Sequence, residues 1–240
     1  MILCLDAGNS RLKWGLHDGA GWQTQGICAY PELDDFVPGH PSAIFACNVA
    51  GPAVAAAIEA LAARLKVPLH WFRGDTPVPG LRNGYADPSR LGADRWAALS
   101  GARHLHAGAA VVVMAGTATT IDALDADGHF LGGLILPGLT LMRTALARHT
   151  ADLPEAQGRW ADFPRNTDDA IASGCIEATL GAIERMSQRV ASRPASVDFC
   201  CLLSGGAAPA LLPHLTGAVR PVEHLVLEGL CAAAQQADLL

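Results

Sequence analysis

Apolar and polar residues along the chain fall into short runs that switch between two periods. Residues 2–5 form an unbroken apolar run, the mark of a short buried strand, and residues 11–16 alternate polar and apolar with period two. Residues 22–28 and 42–49 predict two further strands. The Ala/Leu-rich stretch 53–65 opens after Pro52 and predicts a helix, because both residues favour helix and proline fits its first turn. Residues 69–72 return to strand. A looser stretch, 74–91, then holds Pro77, Pro79, Gly80, Asn83, Gly84 and Pro88, and a loop of that length inside a compact domain is commonly functional. Residues 93–106 predict a helix.

After Ala107 and Gly108 the pattern restarts. Strands are predicted at 109–114, 117–124 and 130–136, with an Asp-Gly turn at 127–128. Helices follow at 139–148, 168–193 and 222–237, and a strand at 199–203. Each half opens with a strand, a glycine-containing turn, a polar-apolar strand and a third strand, with helices afterwards. The residues themselves barely match between the halves. The boundary falls near 106–108, so two α/β domains, 1–106 and 107–240, are expected, with a nucleotide in the cleft between them.

Composition narrows the function. Of the 240 residues, 50% are hydrophobic and 17% charged, which excludes a disordered chain. The net charge of −6 supplies no basic field, so neither nucleic acid nor an anionic membrane surface is expected as a partner. The apolar runs are far shorter than a spanning helix, and the start of the chain lacks the basic leader of a secretory signal. The seven cysteines, at 4, 28, 47, 175, 200, 201 and 231, form no C-x-x-C pair. They sit mostly in apolar stretches, as expected of reduced thiols in a cytoplasmic protein. Histidine spacing gives no zinc motif.

Four turns carry candidate chemistry. In Asp6-Ala7-Gly8-Asn9-Ser10-Arg11-Leu12-Lys13 an acid ends a buried strand, a tight turn follows, and Arg11 and Lys13 share one face of the next strand. Gly8 and Asn9 tolerate positive φ, which would let the turn aim backbone N–H groups at an anion. Asp6 can hold hydrated Mg²⁺, which favours carboxylate oxygens and retained water. An ordinary hairpin with a solvated charged face has the same pattern, but Lys13 is one of only two lysines in the chain. The second turn, Ala115-Gly116-Thr117-Ala118-Thr119-Thr120-Ile121-Asp122, opens the other half and offers the Thr117 hydroxyl to a phosphate. Alone it reads as a threonine-rich strand; paired with the first turn it becomes half of a phosphate clamp. The third, Ser204-Gly205-Gly206, permits close approach of a purine or a phosphate.

The fourth is Gly92-Ala93-Asp94-Arg95. Asp94 lies in the first turn of a predicted helix, where the macrodipole favours the carboxylate. An ionised Asp there can take a hydroxyl proton in phosphoryl transfer, and Arg95 can pair with an acidic substrate. A helix cap with a surface ion pair would look alike. The chain contains neither G-x-G-x-x-G nor G-x-x-x-x-G-K-[ST], which disfavours dinucleotide-binding and P-loop chemistry.

Together these segments resemble the type III pantothenate kinases, members of the acetate and sugar kinase, chaperone ATPase and actin superfamily. The resemblance spans nearly the whole chain. It rests on D-A-G-N-S-R-x-K-W at 6–14, N-G-Y at 83–85, G-A-D-R-W at 92–96 and G-T-A-T-T-I-D at 116–122. G-G-L-I-L-P-G at 132–138, N-T-x-x-A-I-x-S-G at 166–174 and S-G-G at 204–206 add to it. It implies two actin-like (ribonuclease H-like) α/β domains and transfer of phosphate from Mg-ATP to pantothenate.

By the same resemblance, the run from Asp6 to Lys13 and Thr117 contact the nucleotide. Tyr85, Gly92, Ala93, Asp94, Arg95 and Thr167 contact pantothenate, and Asp94 is the general base. A homodimer and a monovalent cation, K⁺ or NH₄⁺, are also implied. Members with a defined K⁺ site have Asp two residues before the glycine of G-T, where this chain has Met114, and a thioether is a poor ligand for a hard cation. Two other readings stay open on the same scaffold. One is a non-catalytic transcriptional accessory factor, as in relatives called Bvg accessory factors; the other is a phosphatase or polyphosphatase. Retention of both turns with Asp94 and Arg95 favours the kinase.

Overall fold

The computed structural model describes residues 1–36, 38–151, 153–154, 157–193 and 198–237. It divides into two compact units: Met1–Ala107 with Asp127–Leu131 and His224–Leu240, and Gly108–Ala126 with Gly132–Glu223. The chain thus enters the second unit at Gly108, comes back for Asp127–Leu131, and comes back again from His224.

In the first unit, strands Ile2–Ala7 (β1), Leu12–His17 (β2), Trp22–Cys28 (β3), Ala43–Asn48 (β4) and Leu69–Trp71 (β5) form one sheet in the order β3-β2-β1-β4-β5. β1 pairs antiparallel with β2 and parallel with β4. Every residue of the central β1 is buried, because helices cover both of its faces. Leu3, Leu5 and Ala7 of β1, with Leu12 and Leu16 of β2 and Ile44 and Ala46 of β4, pack on Ile58, Leu61 and Ala62 of helix Pro52–Leu65 (α1). Period two therefore turns Asp6, Lys13 and Cys47 to the other face. Pro52 opens α1, and Lys66 closes it in a left-handed conformation (φ 57°) with its N–H donated to the Ala62 and Ala63 carbonyls.

That other face carries helix Ala93–Leu105 (α2) and the last helix of the chain, Leu225–Gln236. These two cross closely. A Cβ on Gly229 would overlap the Ala97 carbonyl and one on Gly101 the Leu225 carbonyl, and Ser100 Oγ donates to the Gly229 carbonyl at 3.1 Å. The loop expected at 74–91 contains a two-residue strand, Arg82–Asn83 (β6), and a 3₁₀ turn, Pro88–Arg90.

In the second unit, Ala109–Ala115 (β7), Ala118–Leu124 (β8), His129–Pro137 (β9), Phe199–Ser204 (β10) and Val219–Pro221 (β11) line up as β11-β10-β7-β8-β9. The first three residues of β9 fall in the first unit, where β6 pairs with His129 and Phe130. β7 is antiparallel to β8 and parallel to β10, and β10 is parallel to β11. This repeats the strand order of the first sheet, so the two halves share a topology where their residues show little likeness. Helix Leu139–His149 (α3), the long helix Thr167–Ala191 (α4) and a single turn, Ala208–Leu211 (α5), complete this unit; the helix Leu225–Gln236 of the first unit is α6. Among the described residues no helix is long and apolar enough to cross a membrane.

The crossing of α2 and α6 leaves no room for a side chain at Gly229. Gly229→Ala is expected to destabilise the protein by about 1–3 kcal/mol, the usual toll of overpacking, read as a fall in the urea midpoint.

Candidate active site

The site is built at one end of the first sheet. Asp6 is the penultimate residue of β1; it stands opposite Lys13 of β2 and beside Cys47 of β4 in register. Lys13 Nζ lies 3.9 Å from Asp6 Oδ2, and the Cys47 thiol donates to Asp6 Oδ1 at 3.6 Å. Between β1 and β2, residues 8–11 form the turn. Neither Gly8 nor Asn9 adopts positive φ, contrary to the expectation from their types. The turn is shaped instead by Tyr30, whose hydroxyl donates to the Gly8 carbonyl and, at 3.3 Å, to the Arg11 carbonyl. Arg11 itself lies outside β2 and is exposed.

Asp94 occupies the second position of α2. Its Oδ1 accepts the Arg95 backbone N–H at 2.8 Å, and a Cβ on Gly92 would sit 2.7 Å from that oxygen. Glycine at 92 is thus what allows the carboxylate to fold over the start of the helix. Arg95 is 5% exposed and donates from Nη1 to the Tyr85 hydroxyl at 2.6 Å. The preceding loop is fastened at three points. Asn83 donates to the Gly74 carbonyl at 2.8 Å, the Tyr85 N–H donates to Asn83 Oδ1 at 3.0 Å, and Trp96 Nε1 donates to the Thr76 carbonyl at 2.8 Å. A cavity of about 600 Å³, lined by Asn48, Glu59, Arg73 and Asp75 among others, opens against Gly92 and Ala93.

Electrostatics mark the same residues. Asp6 is pushed up to about 6, first by burial and then by the nearby Asp94 carboxylate, against the opposing pull of Lys13 and the Cys47 thiol. Burial also raises Asp94 above the ordinary carboxylate range and outweighs the Arg95 N–H and the charges of Arg95 and Lys13. The helix dipole alone would have lowered it; desolvation is the larger effect.

In the second unit the β7–β8 turn carries Gly116 and Thr117, and Thr117 is exposed. Two glycine segments close against it. The Gly138 N–H donates to the Thr117 carbonyl at 3.0 Å, and a Cβ on Gly138 would overlap the Gly116 and Thr117 carbonyls. Gly205, at φ +104°, lies against the backbone of Ala115, whose carbonyl accepts the Ala207 N–H at 2.9 Å. Three sequence motifs thus converge on one turn. Met114 faces Thr120 across β7–β8 and Ser204 across β7–β10; the Thr120 hydroxyl is buried with no hydrogen-bond partner among the described residues. Thr167 is the exposed first residue of α4, next to its cap, Asn166, which accepts the Asp169 N–H at 2.9 Å.

The first unit therefore gathers Asp6, Lys13, Tyr85, Asp94 and Arg95, while Thr117 and Thr167 belong to the second. Tyr30 and Cys47 escaped the sequence reading. A tyrosine after a strand and a cysteine inside one carry no motif, and only the register of β1 and β4 points to Cys47.

The family model described as Type III pantothenate kinase matches residues 2–189. A type III pantothenate kinase from Aromatoleum aromaticum is 49% identical over 241 residues, covering 98% of both chains. One from Dechloromonas aromatica is 50% identical over 236 residues, covering 96% of this chain and 97% of its own. Among solved structures, a Campylobacter jejuni protein described as a Baf family transcriptional activator matches with a TM-score of 0.70 at 21% identity, covering 99% and 100% of the two chains. MreB5 of Spiroplasma citri bound to ADP matches at 0.52 and 8% identity, covering 98% and 96%. These two likenesses show a shared α/β fold.

The raised Asp6 fixes the sign of a pH effect. Between its unfolded value near 3.8 and its folded value near 6, the unfolded chain releases this proton first, so rising pH lowers stability by roughly 3 kcal/mol at most. Asp6→Asn should erase this dependence. Its urea midpoint is expected to exceed the wild type's at pH 7.5 and to approach it near pH 4.5.

Proposed function

The chain belongs to the type III pantothenate kinase family, and we propose that the face of its first unit gathering Asp6, Lys13, Asp94, Arg95 and Tyr85 carries the chemistry. The reaction is ATP-dependent phosphorylation of pantothenate at its primary hydroxyl, giving 4′-phosphopantothenate, the first step toward coenzyme A. One observation supports the assignment above the others: two carboxylates, Asp6 and Asp94, both raised by burial, with Lys13 acting on each.

The turn Gly8-Asn9-Ser10-Arg11, with Ala7 and Leu12 at the ends of the strands that flank it, holds the ATP phosphates, and Lys13 adds positive charge. Thr117 offers its hydroxyl to the nucleotide. A hydrated Mg²⁺ fits at Asp6. Its carboxylate is 6% exposed and faces Lys13 at 3.9 Å, and a single carboxylate with water and phosphate oxygens is a usual Mg²⁺ shell. When bound, the ion screens charge on the transferring phosphate.

Asp94 accepts the proton of the attacking hydroxyl. Burial raises the proton affinity of its ionised form, while the Arg95 N–H holds one oxygen still. Arg95, with Tyr85, pairs with the pantothenate carboxylate, a match of planar fork to planar anion. The backbone of Gly92 and Ala93 lies alongside, and Thr167 adds a further contact. Met114 does not fit a monovalent cation, because the donor that it supplies is a soft sulfur. We assign no step to such an ion.

A second copy of the chain is the partner we propose for the α3 face. Leu141 and Leu146 of α3 are 45% and 36% exposed, and Ile135 of β9 is 65% exposed. They accompany a groove of about 1090 Å³ lined by Pro137, Met142, Leu146, Thr167 and Ile171. Apolar exposure of this kind marks an interface. The reaction belongs in the cytoplasm, where the unpaired cysteines, all buried except the half-buried Cys200, stay reduced.

ADP release that depends on pantothenate tests the activity. Asp94→Asn is expected to lower kcat by about 10²–10⁴, the usual worth of a general base, with ATP affinity preserved; turnover near the wild-type rate would remove Asp94 from that role. In sedimentation the native chain is expected to run as a dimer and Leu146→Glu as a monomer.

A further inference from the structure

The chain leaves its second unit for Asp127–Leu131 alone and then goes back. What these residues do in the first unit is specific. The Arg82 N–H donates to the Gly128 carbonyl at 2.8 Å, and β6 pairs in parallel with His129 and Phe130. A Cβ on Gly84 would overlap the Phe130 carbonyl, so the glycine of N-G-Y is what lets the two backbones meet. The contact brings the next residue, Tyr85, over the Phe130 ring. The rings stack at 5.5 Å between centroids, 27° apart in plane.

Arg95 completes the arrangement. Its guanidinium carbon lies 5.5 Å from the Tyr85 centroid and 5.8 Å from the Phe130 centroid, both within cation–π range. The Tyr85 hydroxyl meanwhile accepts from Nη1. Phe130 is fully buried and has no polar group to offer a substrate. It limits the rotamers open to Tyr85 and keeps water from the guanidinium, which strengthens the attraction of that cation for an anion.

We infer that Phe130 is a positioning residue for pantothenate binding, acting through Tyr85 and Arg95 to set the orientation in which the cation meets the substrate carboxylate. This rests on the assignment of Tyr85 and Arg95 to the substrate. The partners of Phe130 described above, Tyr85, Arg95 and the β6 backbone, lie on the substrate side of the assignment, so its effect is expected on one ligand more than the other.

Calorimetric titration with pantothenate, and separately with a non-hydrolysable ATP analogue, tests it on Phe130→Leu, Tyr85→Leu, the double variant and Arg95→Ala. Phe130→Leu is expected to weaken pantothenate about tenfold and the ATP analogue less than about twofold, with kcat at saturation nearly unchanged. In the Tyr85→Leu background the same change should cost less than about twofold, since coupled residues are not additive. Equal pantothenate affinity in folded Phe130→Leu, or additive losses in the double variant, would overturn the inference. If Tyr85→Leu and Arg95→Ala leave pantothenate affinity intact, the substrate assignment itself falls. If they weaken it and Phe130→Leu does not, only the positioning role falls. Phe130→Met, which keeps the apolar volume without the ring, serves the same comparison should the leucine variant fail to fold.

Discussion

A carboxylate taken out of water at the end of a central strand is the constraint on which the first unit depends. At 3.9 Å and an effective dielectric near 20, the attraction of Lys13 for Asp6 is about 4 kcal/mol, and several kcal/mol is also what desolvating one ion costs. The raised Asp6 says which is larger. An acid left in that condition needs every partner the neighbouring strands can supply. β2 must turn back at once, so that Lys13 falls opposite; β4 must place a side chain that donates in register with Asp6, and Cys47 does.

Much of this arrangement was legible in the sequence because it follows from period two. The alternation over 11–16 put Lys13 and the apolar Leu12, Trp14 and Leu16 on opposite faces, and the sheet keeps them there. The restart of the pattern after residue 108 was legible for the same reason. The matching strand orders, β3-β2-β1-β4-β5 and β9-β8-β7-β10-β11, express it in three dimensions. Motifs scattered over 116–122, 132–138 and 204–206 were visible as glycine runs. Their convergence on one turn was not, since it depends on which backbones approach too closely for a Cβ.

What stayed hidden was either very short or very distant. β6 is two residues long and has no period to detect. Phe130 and Tyr30 are single aromatic residues whose partners lie far along the chain. The conformation of residues 8–11 shows the limit of arguing from residue type. Glycine and asparagine permit positive φ without requiring it, and here a tyrosine hydroxyl shapes the turn. Asp94 shows the limit of arguing from local position, because its place near a helix start favours ionisation while the packing above it opposes ionisation more strongly.

The docking of α6 against α2 has a consequence for how the polypeptide comes to its structure during synthesis. Residues 225–236 finish the layer that covers β1 and β4, yet they are translated only after the whole of the second unit. The amino-terminal sheet therefore waits, one face covered only in part by α2, while more than a hundred residues emerge behind it. Domains that are contiguous in sequence can fold in turn as they leave the ribosome. This one cannot, and its core stays incomplete until α6 arrives.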